Sequence, residues 1–385
     1  MVKKLACVVI PLISLMFTAV YGYDFTNVDR KINQAIEDKA FPGATLIIGN
    51  QYDVIYAKAY GKYTYDPDSK PTSIYTIYDL ASLTKVVATT TAIMKLYEEN
   101  KLSLDDKVVT YLPEFNNNGK EKITIRNLLL HNSGLQDLIK FYQLYSTREQ
   151  AIDAIFHSTP VYETGTKFLY SDLNAILLGM IVEKVSGLPL DEYCKRDIFQ
   201  PLNMYYTIFN PNSDLKEFIA PTEFDSYWRN RLLQGEVHDE SASFLGGVAG
   251  NAGLFSNAPD LYKFMRMMLN RGKIIDTDVT YLREETVNTF THRYDESYSN
   301  TRALGWDTKP APTKHRSPCG ELFSDNSFGH TGFTGTSIWC DRDKNLIIIF
   351  LTNRVYPTRN NNRIMDIRPE LHNTIVEAIT KVSKN

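Results

Sequence analysis

Ser82-Leu83-Thr84-Lys85 places a hydroxyl and an amine three residues apart. If Ser82 opens a helix, Lys85 lies about one turn further on and its side chain can approach the hydroxyl. A serine hydroxyl is a poor nucleophile until a neighbour takes its proton. A lysine desolvated in a pocket or beside other cations is neutral enough to do so. A helix start also points backbone N–H groups at a reacting oxygen. The bare pattern is weak, because Ser213-Asp214-Leu215-Lys216 fits it equally well. That second copy lies between Pro211 and a polar stretch and reads as a surface loop, whereas Ser82 is followed by a long apolar helix that fixes its position. The competing reading of Ser82 is a helix cap beside a solvated lysine.

Tyr170-Ser171-Asp172 stands at the start of an apolar run, residues 173–185, so its polar groups are held at the edge of a packed core. A tyrosine hydroxyl near two cations can lose its proton below its usual range and act as general base and later as acid. The alternative is a structural tyrosine with Asp172 as helix N-cap. Gly329-His330-Thr331-Gly332-Phe333-Thr334-Gly335 precedes a strand. Closely spaced glycines let backbone approach a ligand, and the strand edge beyond them can pair with an extended substrate. A main-chain N–H here and that of Ser82 would make an oxyanion hole. The alternative is a glycine-rich turn with a solvated histidine.

The elements that must position these groups are legible in outline. Phe25, Val28, Ile32 and Ile36 recur at helical spacing, and Phe41-Pro42-Gly43 ends that helix. Ala44 to Ile48 and Val54 to Tyr60 form a hairpin around Gly49-Asn50. At the other end Thr336 to Cys340 and Leu346 to Leu351 read as strands, and a last helix starts at Pro369 with Leu371, Ile375, Ile379 and Val382 on one face. Strands from both termini imply one sheet domain with the middle of the chain inserted. That middle is mainly helical from Ser82 to about Asn270: Leu83 to Tyr97, Ile125 to Leu130, Leu173 to Val185 and Leu261 to Leu269. Residues 205–245 and 291–327, rich in Asn, Ser, Asp, Pro and Tyr, read as long surface loops framing a cleft. The expected division is residues 1–22 as signal peptide, 23–81 with 305–385 as the sheet-plus-helix domain, and 82–304 as the helical lobe.

Composition narrows the classes. The 385 residues are 43% hydrophobic and 23% charged, which suffices for a large core and excludes disorder, collagen-like repeats and a disulfide miniprotein. The net charge of −3, with no long single-sign run, gives nucleic acid no electrostatic footprint. Lys3, Lys4, the apolar run Leu5 to Val20 and Val20-Tyr21-Gly22 read as a signal peptide cleaved after Gly22, with an uncleaved anchor as the alternative, so the chain is expected to be exported. No stable membrane span is expected after cleavage. Cys194, Cys319 and Cys340 then remain, an odd number allowing at most one internal pair, and Cys319 and Cys340 are near enough in sequence for one. C-x-x-C and H-E-x-x-H are absent, so neither a structural zinc site nor a zincin is indicated, and the absence of G-x-S-x-G and the Walker loop gives an α/β-hydrolase elbow and a phosphate-binding loop little weight.

The three motifs, in this order and at these separations, resemble those of the penicillin-recognising serine hydrolases, in particular the class C β-lactamase and D-alanyl-D-alanine carboxypeptidase branch. The resemblance extends from about Phe41 to Ile379. It includes Tyr78-Asp79-Leu80-Ala81, Leu129-Leu130-His131-Asn132-Ser133-Gly134-Leu135, Gly246-Gly247-Val248-Ala249-Gly250 and Ala252-Gly253-Leu254-Phe255-Ser256. It implies an α/β (α+β) fold: an antiparallel sheet flanked by N- and C-terminal helices, plus an all-helical lobe, with the active site between them. It implies Ser82 as acylated nucleophile, Lys85 as its proton partner, Tyr170 as base, and the N–H groups of Ser82 and Phe333 as oxyanion hole. Thr331 and Gly332 would contact substrate. The resemblance implies neither metal nor organic cofactor.

Two departures matter: His330 stands where the third motif usually has lysine, and Asp172 where the second usually has asparagine. A partly charged histidine and an extra carboxylate suit the carboxylate of a β-lactam or a terminal D-alanine less well than a permanent cation does, which makes strong β-lactamase activity unexpected. Gly235-Glu236-Val237-His238-Asp239-Glu240 and Leu351 to Pro357 are similar to segments of exported hydrolases that remove the peptide from N-acetylmuramic acid, and of D-alanyl-D-alanine carboxypeptidases. There His238 and Asp239, with Glu240, would contact polar substrate groups or brace the cleft. Asn251 stands where relatives often have histidine. The expectation is a serine hydrolase cleaving an amide of a peptidoglycan fragment (muropeptide). An esterase or weak β-lactamase, and a non-catalytic cell-wall-binding module, are the competing readings.

Overall fold

The computed structural model describes residues 22–275, 277–295, 300–310 and 317–381; the expected signal peptide, apart from Gly22, lies outside them. Strands from both ends of the chain build one six-stranded sheet in the order Val54–Gly61, Gly43–Gly49, Leu346–Thr352, Ser337–Asp341, Ser327–Thr331, Asp307–Thr308. Every pairing is antiparallel. At the centre Ile349 lies opposite Ile47 on one side and Ile338 on the other.

The Leu346–Thr352 strand is apolar at six consecutive positions because both faces of the sheet are covered. Leu346, Ile348 and Phe350 pack with Val28 and Ile32 of the Thr26–Glu37 helix and with Leu371 and Ile375 of the Ile364–Lys381 helix. Ile347, Ile349 and Leu351 belong to the larger core that contains Phe264 and Met268 of the Ala258–Leu269 helix. The last helix begins at Ile364, not at Pro369, so the proline is internal. The hydrogen bond it forfeits is to the carbonyl of Met365, an exposed residue whose carbonyl water can satisfy.

A second, three-stranded sheet joins Tyr78–Asp79, Leu254–Ser256 and Ile208–Phe209. It anchors the chain just before Ser82. The Asp172–Ser186 helix is buried along most of its length, through Leu173, Ile176, Leu177 and Ile181, and ends at Gly187 in the left-handed region with φ 72°. Among the described residues no single helix is long and apolar enough to cross a membrane. Segments 205–245 and 291–327 are more than surface loops. They carry the short strands Ile208–Phe209, Phe224–Asp225, Arg231–Leu232 and Asp307–Thr308 and the Glu240–Phe244 helix, and they bury Ile219, Leu233 and Trp306. Apolar residues scattered without periodicity left that burial illegible. Ser213–Phe218 is a short 3₁₀ helix with no buried residue, as suits a surface segment. Cys194, Cys319 and Cys340 are buried free thiols, so Cys319 and Cys340 do not pair.

Ile348→Ala should lower unfolding free energy by about 2–5 kcal/mol, since a fully buried side chain is lost from a strand held on both sides. Val279→Ala, at an exposed site, should stay within about 0.5 kcal/mol. Equal effects in denaturant titrations would contradict this account of the core.

Candidate active site

The nucleophile candidate sits on a constrained turn. Ala81, a residue with a Cβ, has φ 47°, a conformation that costs roughly 1–2 kcal/mol. Its surroundings hold it there. Ala81 N–H donates to Asp79 Oδ1 at 2.8 Å, Leu80 N–H to Leu254 O at 2.9 Å, and the Thr334 and Thr336 hydroxyls to Asp79 O and Leu80 O at 2.7 and 3.1 Å. Gly332 lies so close that a Cβ there would collide with Leu80 O and Thr336 Oγ1. The turn leads into a 3₁₀ stretch, Ala81–Leu83, then a π-helical stretch, Lys85–Thr90, then the Thr91–Glu98 helix. Such wide turns are frequent at functional sites.

Lys85 is turned inward, with 4% of its side chain exposed. Its ammonium donates to Ser82 Oγ at 3.0 Å and to Asn251 O at 3.0 Å, and pairs with Asp172 Oδ1 at 2.8 Å. Burial works against its charge, but the Asp172 carboxylate and Tyr170 outweigh it and raise the lysine above its ordinary value. Lys85 is therefore an ammonium, and by itself cannot take the serine proton. Gly250, next to Asn251, lets this segment touch the Asp172–Ser186 helix, since a Cβ there would strike Ala175 O. Asp172 is the first helical residue and not the cap: Ser171 holds the cap position without capping, its hydroxyl donating to Gln136 O at 2.6 Å.

Tyr170 has cations near its ring, with Lys85 Nζ 5.0 Å and Arg302 Cζ 4.9 Å from the centroid. The rings of His131 and His330 lie 4.6 and 6.0 Å away. Ser171 N–H donates to His131 Nδ1 at 3.1 Å, so that nitrogen is unprotonated. Burial first, then the Arg302 and Lys85 charges, hold His131 well below its usual range. Arg302 was illegible as a site residue because it falls in the polar 291–327 stretch; its position just before Ala303-Leu304-Gly305-Trp306, an apolar turn, was the only signal.

His330 lies within the Ser327–Thr331 strand, not in a turn before one, and is 2% exposed. Burial, then Arg302 and Lys85, push it well below the ordinary histidine range, so it is neutral and not partly charged. Its Nδ1 is 2.8 Å from Thr331 O and therefore carries the proton. Nε2 is then a buried lone pair with no partner among the described residues. Thr331 is partly exposed, Gly332 buried and Phe333 49% exposed.

His238 is turned into the protein, whereas Asp239 is partly exposed. His238 is 2% exposed, its Nε2 2.8 Å from Glu223 Oε2, and its N–H donates to Asp79 Oδ2 at 2.6 Å. It braces the nucleophile turn and stacks on Phe333, centroids 5.6 Å apart. Asp239 caps the Glu240–Phe244 helix, accepting from Ala242 N–H at 2.7 Å and Asn251 Nδ2 at 3.1 Å. Glu240 pairs with Arg359 at 2.7 Å, and Arg359 with Glu223 at 2.7 Å. These residues form the wall behind the site because each polar group finds a protein partner there.

Desolvation, and then the Asp172 charge, push the Asp239 carboxyl up to about 6. A raised carboxyl favours the folded state while protonated in it, so this contribution is present below about pH 4 and is lost as pH rises to about 6. Asp239→Asn, which preserves the cap, should therefore be more favourable relative to wild type at pH 7 than at pH 4 in denaturant melts. An equal difference at both pH values would contradict the buried-carboxylate account.

Comparison with known proteins identifies the family. The family model described as Beta-lactamase matches residues 28–369. An "N-acetylmuramyl-L-alanine amidase" of Bacillus subtilis (strain 168) is 35% identical over 363 residues, covering 84% of this chain and 80% of the relative. A "Putative D-alanyl-D-alanine carboxypeptidase" of Escherichia coli (strain K12) is 36% identical over 374 residues, covering 87% and 84%. Among solved structures, a class C β-lactamase superposes with TM-score 0.71 at 20% identity, over 90% of this chain and 96% of its own, a likeness of fold. With a hydroxyl, an ammonium and a tyrosine gathered on the matching fold, the chain belongs to the β-lactamase family and is a serine hydrolase of that family.

Proposed function

We propose that Ser82 is the acylated nucleophile and that the chain cleaves an amide bond in a peptidoglycan fragment, either between N-acetylmuramic acid and L-alanine or before a terminal D-alanine. The observation that carries the mechanism is Lys85, 3.0 Å from Ser82 Oγ while paired with Asp172 at 2.8 Å and lying 5.0 Å from the Tyr170 ring centroid. Because Lys85 is already cationic, Tyr170 enters the reaction as a phenolate and takes the Ser82 proton, becoming a phenol, while Lys85 orients the hydroxyl and offsets the developing charge. Ser82 Oγ bonds to the carbonyl carbon, the oxyanion rests on the N–H groups of Ser82 and Phe333, and the C–N bond breaks as Tyr170 returns the proton to the departing amine. Water, deprotonated by the same group, then hydrolyses the ester and restores Ser82.

The names of the relatives support the substrate class. The neutral His330 supports the amide between N-acetylmuramic acid and L-alanine over a β-lactam or a terminal D-alanine, since the third motif provides no cation for the carboxylate of either. A two-lobed division, with the sheet domain drawn from residues 23–81 and 305–385 and the helical lobe from 82–304, places Ser82 where the lobes join. Residues 1–22 serve as the export signal, which brings the enzyme to its polymer.

Purified protein is incubated with a defined muropeptide mixture and followed by mass spectrometry. Release of N-acetylmuramic-acid sugar with intact peptide identifies an amidase; loss of one alanine identifies a carboxypeptidase. Ser82→Ala should abolish either product, Lys85→Ala and Tyr170→Phe should lower kcat/KM by roughly 10²–10⁴-fold, and Ser213→Ala should change nothing. Full turnover by Ser82→Ala, or an unchanged mixture with wild type, would sink the proposal.

A further inference from the structure

Arg302 is a buried cation whose charge is poorly answered by its own surroundings. Its side chain is 10% exposed, and Nε and Nη1 have no hydrogen-bond partner among the described residues. Nη2 faces Asp307 Oδ2 at 3.7 Å, beyond hydrogen-bond range, while Asp307 Oδ1 accepts from Thr301 Oγ1 at 3.2 Å. A guanidinium stays protonated and tolerates a flat aromatic face better than an ammonium does. The faces it meets are Tyr170, with Cζ 4.9 Å from the ring centroid, and Phe168, 5.8 Å away. A guanidinium with two inward nitrogens that have no partner among the described residues is expensive to retain for packing alone.

The groups around Tyr170 show what that charge does there. Lys85 lies 5.0 Å from the ring centroid, but its ammonium is paired with Asp172. His131 and His330, the other ring neighbours, are both held neutral. Asp239 adds a carboxyl that senses the Asp172 charge. Arg302, only loosely answered by Asp307 at 3.7 Å, adds a second cation against the Tyr170 ring, whose oxygen must carry negative charge before it can accept the Ser82 proton.

We propose that Arg302 is a positioning residue that supplies, through the face of Tyr170, the positive charge that His330 does not, and so stabilises Tyr170 as the proton acceptor. The proposal rests on the reading of Ser82, Lys85 and Tyr170 given above. Arg302 acts through the ring and not on the substrate: its two unpartnered nitrogens are closed off from solvent. Its effect therefore belongs to kcat and to every acyl donor alike.

The test uses N-acetylmuramyl-L-alanine and p-nitrophenyl acetate as two acyl donors, with full-length wild type, Arg302→Gln, Arg302→Lys, Tyr170→Phe, the Tyr170→Phe/Arg302→Gln double variant and Ser82→Ala. Arg302→Gln should lower kcat by roughly ten- to a hundredfold on both donors with KM changed less than about threefold. Removing a cation from beside the ring should move the acidic limb of the kcat–pH profile upward. Arg302→Lys should recover most of kcat and the wild-type limb. In the Tyr170→Phe background, Arg302→Gln should cost less than about twofold more, because the hydroxyl through which it acts is gone. A KM increase confined to the muramyl donor would make Arg302 a substrate anchor and overturn the proposal. So would equal losses in both Arg302 variants with an unmoved limb, or losses that multiply in the Tyr170→Phe background. Ser82→Ala turning over both donors would overturn the underlying site as well, an outcome distinguishable from the others because no Arg302 variant is involved.

Discussion

The ammonium of Lys85 is the constraint around which the site is arranged. A lysine with 4% of its side chain exposed would lose its charge to burial unless a carboxylate met it, and Asp172, 2.8 Å away, does so. Breaking such a pair by removing one partner costs roughly 3–5 kcal/mol, because the survivor is left charged and uncompensated. Satisfying Lys85 brings three distant stretches of chain together: the turn with Ser82, the first residue of the Asp172–Ser186 helix, and the carbonyl of Asn251. The close contact at Gly250 and the π-helical stretch from Lys85 to Thr90 belong to the same accommodation.

That pair also decides the charge balance of the rest of the site. With Lys85 matched by Asp172, the two histidines near Tyr170 have no carboxylate to make protonation favourable, and burial beside two cations keeps them neutral. His330, protonated at Nδ1 and unpartnered at Nε2, offers the site an acceptor where a lysine would offer a donor. The third motif is thereby reversed in polarity while its backbone keeps its place, because Gly332 permits contact with the nucleophile turn whatever residue stands at 330.

The strained turn before Ser82 is held by groups far from it in sequence. Asp79 accepts from Ala81 on one oxygen and from His238 on the other, and His238 is fixed by Glu223, which Arg359 also engages. Arg229 adds to this brace, donating to Val237 O and His238 O at 2.7 and 2.8 Å. The Gly235 to Glu240 segment thus stiffens the turn that carries Ser82, so that a conformation costing roughly 1–2 kcal/mol persists in the folded chain.

Ser82, Lys85 and Tyr170 were legible in the sequence, as were the terminal hairpins, the Asp172–Ser186 helix and the interleaving of both chain ends in one sheet. Local patterns carry these: spacing within a helical turn, continuous apolar runs such as Leu346 to Leu351, and turn residues between them. The start of the last helix was misplaced because Pro369 is favourable at a first turn but tolerable further in where Met365 is solvated. The sequence by itself determined which side chains could do acyl chemistry and the elements that carry them. Only the tertiary structure decided their charges and partners: that Lys85 is cationic, that His330 is neutral, that His238 is buried against Glu223, and that Arg302 lies on Tyr170. Protonation and orientation depend on desolvation and on charges brought within a few ångströms by packing, and residues 85, 172, 251, 302 and 330 acquire those distances only when the chain is folded.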